Sequence, residues 1–214
     1  MITEDRISAF IRSLERPGNL SLEEIRKEAI EDGVPVIRPE TGQLLSFFAG
    51  LMKAEKVLEV GTAVGYSALL LLEVLPENAV ITTIENYPPR IAKAKENFLK
   101  AGAGERIRLL EGDAAEILPG LSGGYDMIFM DAAKAQYIHW LPEVKRLLRT
   151  GGLLLSDNIL QDGSLLESRY AVERRDRTIH KRMRSYLEAL TSDPELSTVL
   201  FPLGDGVAAT FKKS

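Results

Sequence analysis

Cysteine is absent from all 214 residues, which removes disulfides, thiolate-bound metals and cysteine nucleophiles together. Histidine is scarce, with only His139 and His180, so zinc is a poor prospect and any metal must sit on oxygen or imidazole ligands. No apolar run approaches the roughly 20 residues that span a bilayer. The opening Met-Ile-Thr-Glu-Asp-Arg is charged where a secretory signal would be apolar. A cytoplasmic protein without a membrane partner is expected. The net charge of −4 argues against a generally basic nucleic-acid coat but leaves room for a local basic patch.

What is present is ordinary globular composition, 45% apolar and 27% charged, enough for one sizeable core. Neither a repeat nor a long linker divides the chain. One domain over residues 1–214 is expected, with a helical N-terminal extension (1–53) and an α/β core (56–214). In the extension, Ser21-Leu-Glu-Glu24 has the spacing of a capping box. Leu44, Leu45, Phe47, Phe48 and Leu51 mark an apolar helical face.

From Lys56 onward, strand and helix signals alternate. Val57–Val60, Val80–Ile84, Ile107–Leu110, Met127–Met130 and Leu153–Leu155 are short apolar or β-branched runs. Helical stretches separate them, including Pro88–Leu99 with proline in its first turn. Such alternation implies right-handed crossovers and an open, mostly parallel sheet with helices on both faces. Ser197–Leu203 and Val207–Lys212 flank Gly204-Asp-Gly206, which predicts a C-terminal hairpin and an antiparallel last strand, the seventh.

Ligands of open α/β sheets sit beyond the carboxyl ends of the strands, so the polar residues at those ends are the candidates. After the first strand comes Glu59-Val-Gly61-Thr-Ala-Val-Gly65-Tyr66-Ser67, a glycine turn opening a helix. Its spacing matches neither a phosphate-binding loop nor a full dinucleotide fingerprint. It serves either as a plain connector or as a cofactor loop. Glu85 ends the second strand about 20 residues on, where such folds grip a ribose; the other reading is a surface glutamate. Asp113 and Ala114 follow the third strand, where Asp113 either borders an adenine pocket or caps a helix.

Strands four and five carry the sharpest cluster. Asp131 follows Phe129-Met130, and Asp157-Asn158 follow Leu154-Leu155-Ser156. Two carboxylates and an amide at one sheet edge are hard oxygen donors suited to Mg²⁺ or another divalent cation, and helix capping by each Asp is the alternative. Lys134 lies three residues beyond Asp131. A lysine beside a bound cation has a depressed pKa and can act as general base.

Together these residues resemble the class I S-adenosylmethionine-dependent O-methyltransferases of the catechol and caffeoyl-coenzyme A type, from about Val34 to the C-terminus. The resemblance implies a Rossmann-like fold and a methyl transfer to a hydroxyl oxygen. It implies that Glu59, Gly61, Gly65, Tyr66, Ser67, Glu85, Asp113, Ala114 and Asp131 bind S-adenosyl-L-methionine, with a backbone contact from Ile37. Asp131-Ala-Ala-Lys134-Ala-Gln-Tyr137 and Ser156-Asp-Asn158 look like the family's metal segments. They imply Asp131, Asp157 and Asn158 as ligands and Lys134 as catalytic base. A homodimer is expected on the same ground.

Within that family the chain looks most like the bacterial tRNA 5-hydroxyuridine methyltransferases. This rests on Asp131 to Tyr137, on Glu173-Arg174-Arg175-Asp-Arg177 and on Pro202-Leu-Gly-Asp-Gly206. Between Glu167 and Arg184, seven Lys/Arg face three Asp/Glu, an excess suited to tRNA phosphates through Arg174, Arg175 and Arg177. A solvated amphipathic helix is the plainer alternative for this stretch. A small catechol-like phenol is the alternative acceptor.

Overall fold

A computed structural model describes residues 6, 9, 10, 13, 14, 19–168 and 170–213, with the backbone alone at 162. Expectations for the remaining N-terminal positions, for Arg169 and for Ser214 lie outside the described residues.

Two helices precede the sheet, α1 (Leu20–Glu31) and α2 (Pro39–Met52). The predicted capping box is not used. Asn19 is the N-cap of α1, its side chain accepting from the Ser21 amide, because the helix starts one residue before Ser21. Nor is the extension helical throughout. Val34 to Arg38 run without helix between α1 and α2. Pro35 and Pro39 explain this, since each disfavours helical geometry at the preceding residue; Arg38 is extended at φ −67°, ψ 149°. This connector passes beside the carboxyl edge of the sheet.

The core alternates β1 (Lys56–Val60), α3 (Tyr66–Leu72), β2 (Val80–Glu85), α4 (Pro88–Lys100), β3 (Ile107–Glu111), α5 (Ala114–Ile117), β4 (Tyr125–Met130), α6 (Tyr137–Leu147) and β5 (Leu148–Ser156). It ends with α7 (Arg177–Ser192), β6 (Leu196–Phe201) and β7 (Val207–Lys212). The seven strands form one sheet in the order β3-β2-β1-β4-β5-β7-β6. The first five are parallel, and β7 runs antiparallel to both β5 and β6, as predicted.

Side chains alternate between two cores. Val57, Met127, Phe129, Leu153 and Leu155 pack under α1 to α4, whereas Leu58, Val60, Ile128, Met130 and Leu154 pack under α6 and α7. Both faces are therefore buried, and each fully buried Leu or Phe contributes about 1.5–3 kcal/mol. No helix among the described residues is long and apolar enough to cross a membrane.

Strand order reverses between β1 and β4, the switch point where open α/β sheets form a crevice. Register sharpens this. Val60 pairs with Ile84 on one side and Met130 on the other, and Met130 pairs with Ser156. Gly61, Glu85, Asp131 and Asp157 are each the next residue, so four predicted site residues leave the sheet along one edge.

Candidate active site

A cleft of about 450 Å³ opens at this edge, lined by Gly61, Ala63, Glu85, Gly112, Ala114, Asp131, Lys134 and Asn158 among others. A smaller recess beside it is lined by Ile37, Gly61, Tyr66, Ser67 and Asp131. Most of the predicted donor residues thus converge; Gly65, Asp113 and Glu59 line neither cavity. Asp113 is exposed and caps α5 through the Ala115 amide, so Gly112 and Ala114 border the cleft rather than the Asp113 carboxylate. Glu59 is fully buried beneath the loop and lines neither cavity.

Glu59 shares the buried face of β1 with Val57, and there it meets α3 and β2. Its carboxylate accepts from the Ser67 and Thr83 hydroxyls. Burial pushes its pKa up to about 7, although both hydroxyls oppose the rise. Glu59 therefore fixes Ser67 and the start of α3 rather than reaching a ligand. Glu85 is aimed differently. One carboxylate oxygen accepts from the Ala63 amide and the other from the Asn86 and Tyr87 amides, which orients a nearly buried acid into the cleft.

The glycines of the turn serve the fold first. A Cβ on Gly61 would lie 2.1 Å from the Asp131 carbonyl oxygen, and one on Gly65 would lie 2.4 Å from the Phe98 ring. Both have positive φ, 105° and 85°. The close approaches at these two glycines are to the Asp131 backbone and to Phe98 of α4. Ala63, Asn158 and Gln161 also hold positive φ, at 46°, 55° and 51°, and all three line the cavities. Such backbone costs on the order of 1–3 kcal/mol per residue and gathers at functional sites.

Lys134 begins a short 3-10 turn, Lys134–Gln136, ahead of α6. Its ammonium donates to Asp131 Oδ1 at 2.6 Å and to the Tyr137 hydroxyl at 3.2 Å. Tyr137 in turn donates to the Met130 carbonyl and accepts from the Ala132 amide. Burial pulls the Lys134 pKa down, but Tyr137, Asp131 and Asp157 outweigh it and hold the ammonium above its ordinary range. The carboxylates around it set this direction, and the expected depression applies to a lysine beside a bound cation.

Asp157 is 2% exposed, and burial pushes it up to about 7, with Asp131 adding to the rise and Lys134 opposing it. Its Oδ1 accepts only from the neighbouring Asn158 amide among the hydrogen bonds described. Among the described residues, no three His, Asp or Glu side chains converge as a metal cluster. A divalent cation here would rest on Asp131, Asp157 and the Asn158 amide oxygen, a hard-oxygen set that fits Mg²⁺ and leaves room for water and substrate. It would also relieve two close carboxylates of their mutual repulsion.

Beyond Lys134 and Asn158 lies a second cavity of about 590 Å³, lined by Gln161, Glu167, Val172, Glu173, Asp176, Ile179 and Asp205. The predicted arginines are not among the lining residues, although Glu173 and Asp176 beside them are, and their partners differ. Arg174 is exposed and has no ion pair among the described residues. Arg175 pairs with Glu173 at 3.0 Å and Asp176 at 3.5 Å. Arg177 donates to the Val172 and Tyr170 carbonyls and so holds the loop before α7. Exposed Lys181 and Arg184 continue the basic surface along α7.

Sequence reasoning missed Trp140, Arg90 and Pro35 as cleft residues. Trp140 looks like core from its place on the apolar face of α6, and it does pack there against Tyr137. The proline pair around Ile37 was the available signal for Pro35. Asp205, part of the predicted hairpin turn, lines the second cavity, and its carbonyl and that of Gly206 accept from the Leu160 and Ile159 amides respectively.

Comparison with known proteins agrees with this geometry. The O-methyltransferase family profile matches residues 13–213. A Mycolicibacterium vanbaalenii protein named as an O-methyltransferase is 37% identical over 186 residues, covering 86% of this chain and 80% of that protein. A catechol O-methyltransferase of Niastella koreensis is 37% identical over 143 residues, 64% of this chain and 65% of that protein. Among solved structures, a Staphylococcus aureus protein described as a caffeoyl-CoA O-methyltransferase superposes with TM-score 0.90 at 30% identity, covering 97% of this chain and all of that one. A Podospora anserina methyltransferase with bound S-adenosylhomocysteine superposes with TM-score 0.87 at 28% identity, covering 98% and 95%. By profile, sequence and fold, the chain belongs to the O-methyltransferase family.

Proposed function

We propose that this chain transfers a methyl group from S-adenosylmethionine to a hydroxyl oxygen, with a divalent cation, Mg²⁺ by ligand chemistry, at Asp131, Asp157 and Asn158. One observation carries the reading. Lys134 and Asn158 line both cavities, so a donor in the first and an acceptor in the second would meet at these two residues.

The chain's own groups then have distinct tasks. Ile37, Tyr66 and Ser67 wall the recess for the donor's amino-acid end, Glu85 is aimed at its ribose, and Gly112 and Ala114 border its base. S-adenosylmethionine supplies an electrophilic methyl, which leaves the protein to align it and to deprotonate the acceptor. A bound divalent cation would supply Lewis-acid stabilisation for two adjacent acceptor oxygens. Lys134 takes the acceptor proton, its pKa lowered once positive charge occupies the neighbouring carboxylates.

For the acceptor, our reading is 5-hydroxyuridine in tRNA, whose 5-hydroxyl and 4-oxo groups are adjacent oxygens. Exposed Arg174, Lys181 and Arg184, in the stretch that begins with the lining residues Glu173 and Asp176, support it as cations available to phosphates. The acidic lining of that cavity, Glu167, Glu173 and Asp176, favours the second reading, an uncharged or cationic catechol-like phenol. We also read the protein as a homodimer. Exposed Phe47 and Leu51 of α2, whose Phe48 packs on Phe201 of β6, support an apolar contact between copies.

The test is mass spectrometry of nucleosides from tRNA carrying 5-hydroxyuridine, incubated with protein, S-adenosylmethionine and Mg²⁺. The expected product is 5-methoxyuridine, abolished by a chelator. Methylation of catechol but not of tRNA would transfer the acceptor to the second reading, and product formation in chelator would remove the metal.

A further inference from the structure

Helix α4 buries Ile91, Ala94 and Phe98 on its apolar face, and among them stands Asn97, 1% exposed. A buried amide costs free energy unless it is used. Asn97 Nδ2 donates to the Val64 carbonyl at 2.8 Å, within the turn after β1. Only the amide nitrogen can serve that carbonyl, so the side-chain orientation follows from chemistry. Its Oδ1 has no partner among the described residues, which leaves this bond as the polar tie for the side chain.

That turn is where a tie is needed. Ala63, immediately before Val64, holds φ 46°, a left-handed conformation that an alanine leaves readily. Its amide is held on one side by Glu85 Oε2 at 2.9 Å. Asn97 holds the following carbonyl from the opposite side, and its neighbour Phe98 packs on Gly65. Gly61 and Ala63 line the donor cleft and its recess, so the shape of this turn is the shape of the donor site.

We propose that Asn97 is a positioning residue for the donor, holding the turn Gly61 to Gly65 in its binding conformation from outside the cleft. The proposal rests on the donor reading above. Calorimetric titration of the wild-type protein with S-adenosylhomocysteine tests that reading separately. With binding established, Asn97→Leu, close in shape but without a donor, weakens S-adenosylhomocysteine about tenfold, the worth of one buried hydrogen bond. The loss appears in Kd and in the donor KM rather than in kcat. Asn97→Asp gives a sharper signature. Its introduced carboxyl can donate to Val64 only when protonated, so its affinity relative to wild type recovers as pH falls. Should Asn97→Leu fail to fold, this second variant carries the test alone. Wild-type affinity in folded variants, with only a lower melting temperature, would reduce Asn97 to a packing residue. No binding to the wild-type protein would overturn the donor reading and this proposal with it.

Discussion

Lys134 holds its ammonium 2.6 Å from Asp131 Oδ1, so the expected base and an expected metal ligand form an ion pair within one i,i+3 step. The pair has a defined logic. Without a cation the lysine neutralises Asp131 and remains protonated; with one, the lysine loses its partner and becomes available as a base.

Lys134→Met is accordingly expected to lower kcat by about 10²–10⁴-fold while leaving S-adenosylhomocysteine affinity within a small factor. Lys134→Arg does not restore turnover, because a guanidinium keeps its charge. Steady-state rates beside calorimetry check both statements. Full activity in Lys134→Arg would remove the base role.

Glu59 makes stability depend on pH. Its folded pKa, about 7, lies above the ordinary 4.5, so the folded protein binds the extra proton between those values. Stability from this group is fully present below 4.5 and declines as pH rises through 7, by on the order of 3 kcal/mol. Asp157 shifts in the same direction, so the comparison must be made against a variant. Denaturant melts of the ligand-free protein should show Glu59→Gln flattening the decline. An unchanged slope would place the titration elsewhere.

The basic segment separates the two acceptors. Arg174→Ala with Lys181→Ala should weaken tRNA binding and reduce the salt slope by about 2, with phenol turnover unchanged. Arg177→Ala is the contrasting variant, since it removes the bonds to Val172 and Tyr170 and loosens the loop for either acceptor. Filter binding across a salt series reads the difference.

Gly61→Ala is expected to cost more than Gly65→Ala, roughly 3 kcal/mol, because the obstacle at Gly61 is the Asp131 backbone whereas the Phe98 ring at Gly65 can turn aside. Thermal melts of the two variants provide the comparison.

The parallel core was readable because the strands are apolar runs between glycine or helix signals, and the cluster at Asp131, Asp157 and Asn158 because each follows such a run. Register did the rest, and register follows from pairing. What local pattern could not show lies in tertiary detail. The charge state of Lys134 depends on which groups surround it, and the use of Arg177 depends on a loop between Glu167 and Asp176 without periodicity. Asp113 was open between two roles, and the cap at Ala115 is the one observed. The break at Val34 to Arg38 could have been read from Pro35 and Pro39.

That break has an architectural consequence. Pro35 and Ile37 are walls of the donor cleft and its recess, yet they belong to a strap that no strand pairs with. The seven-stranded sheet therefore supplies only part of its own site, and the N-terminal extension closes it from outside. A shortened descendant beginning at α2 would keep every strand and every candidate metal ligand, but its donor chamber would lack one wall. Selection on donor affinity thus reaches into a segment that contributes core packing but no strand to the sheet.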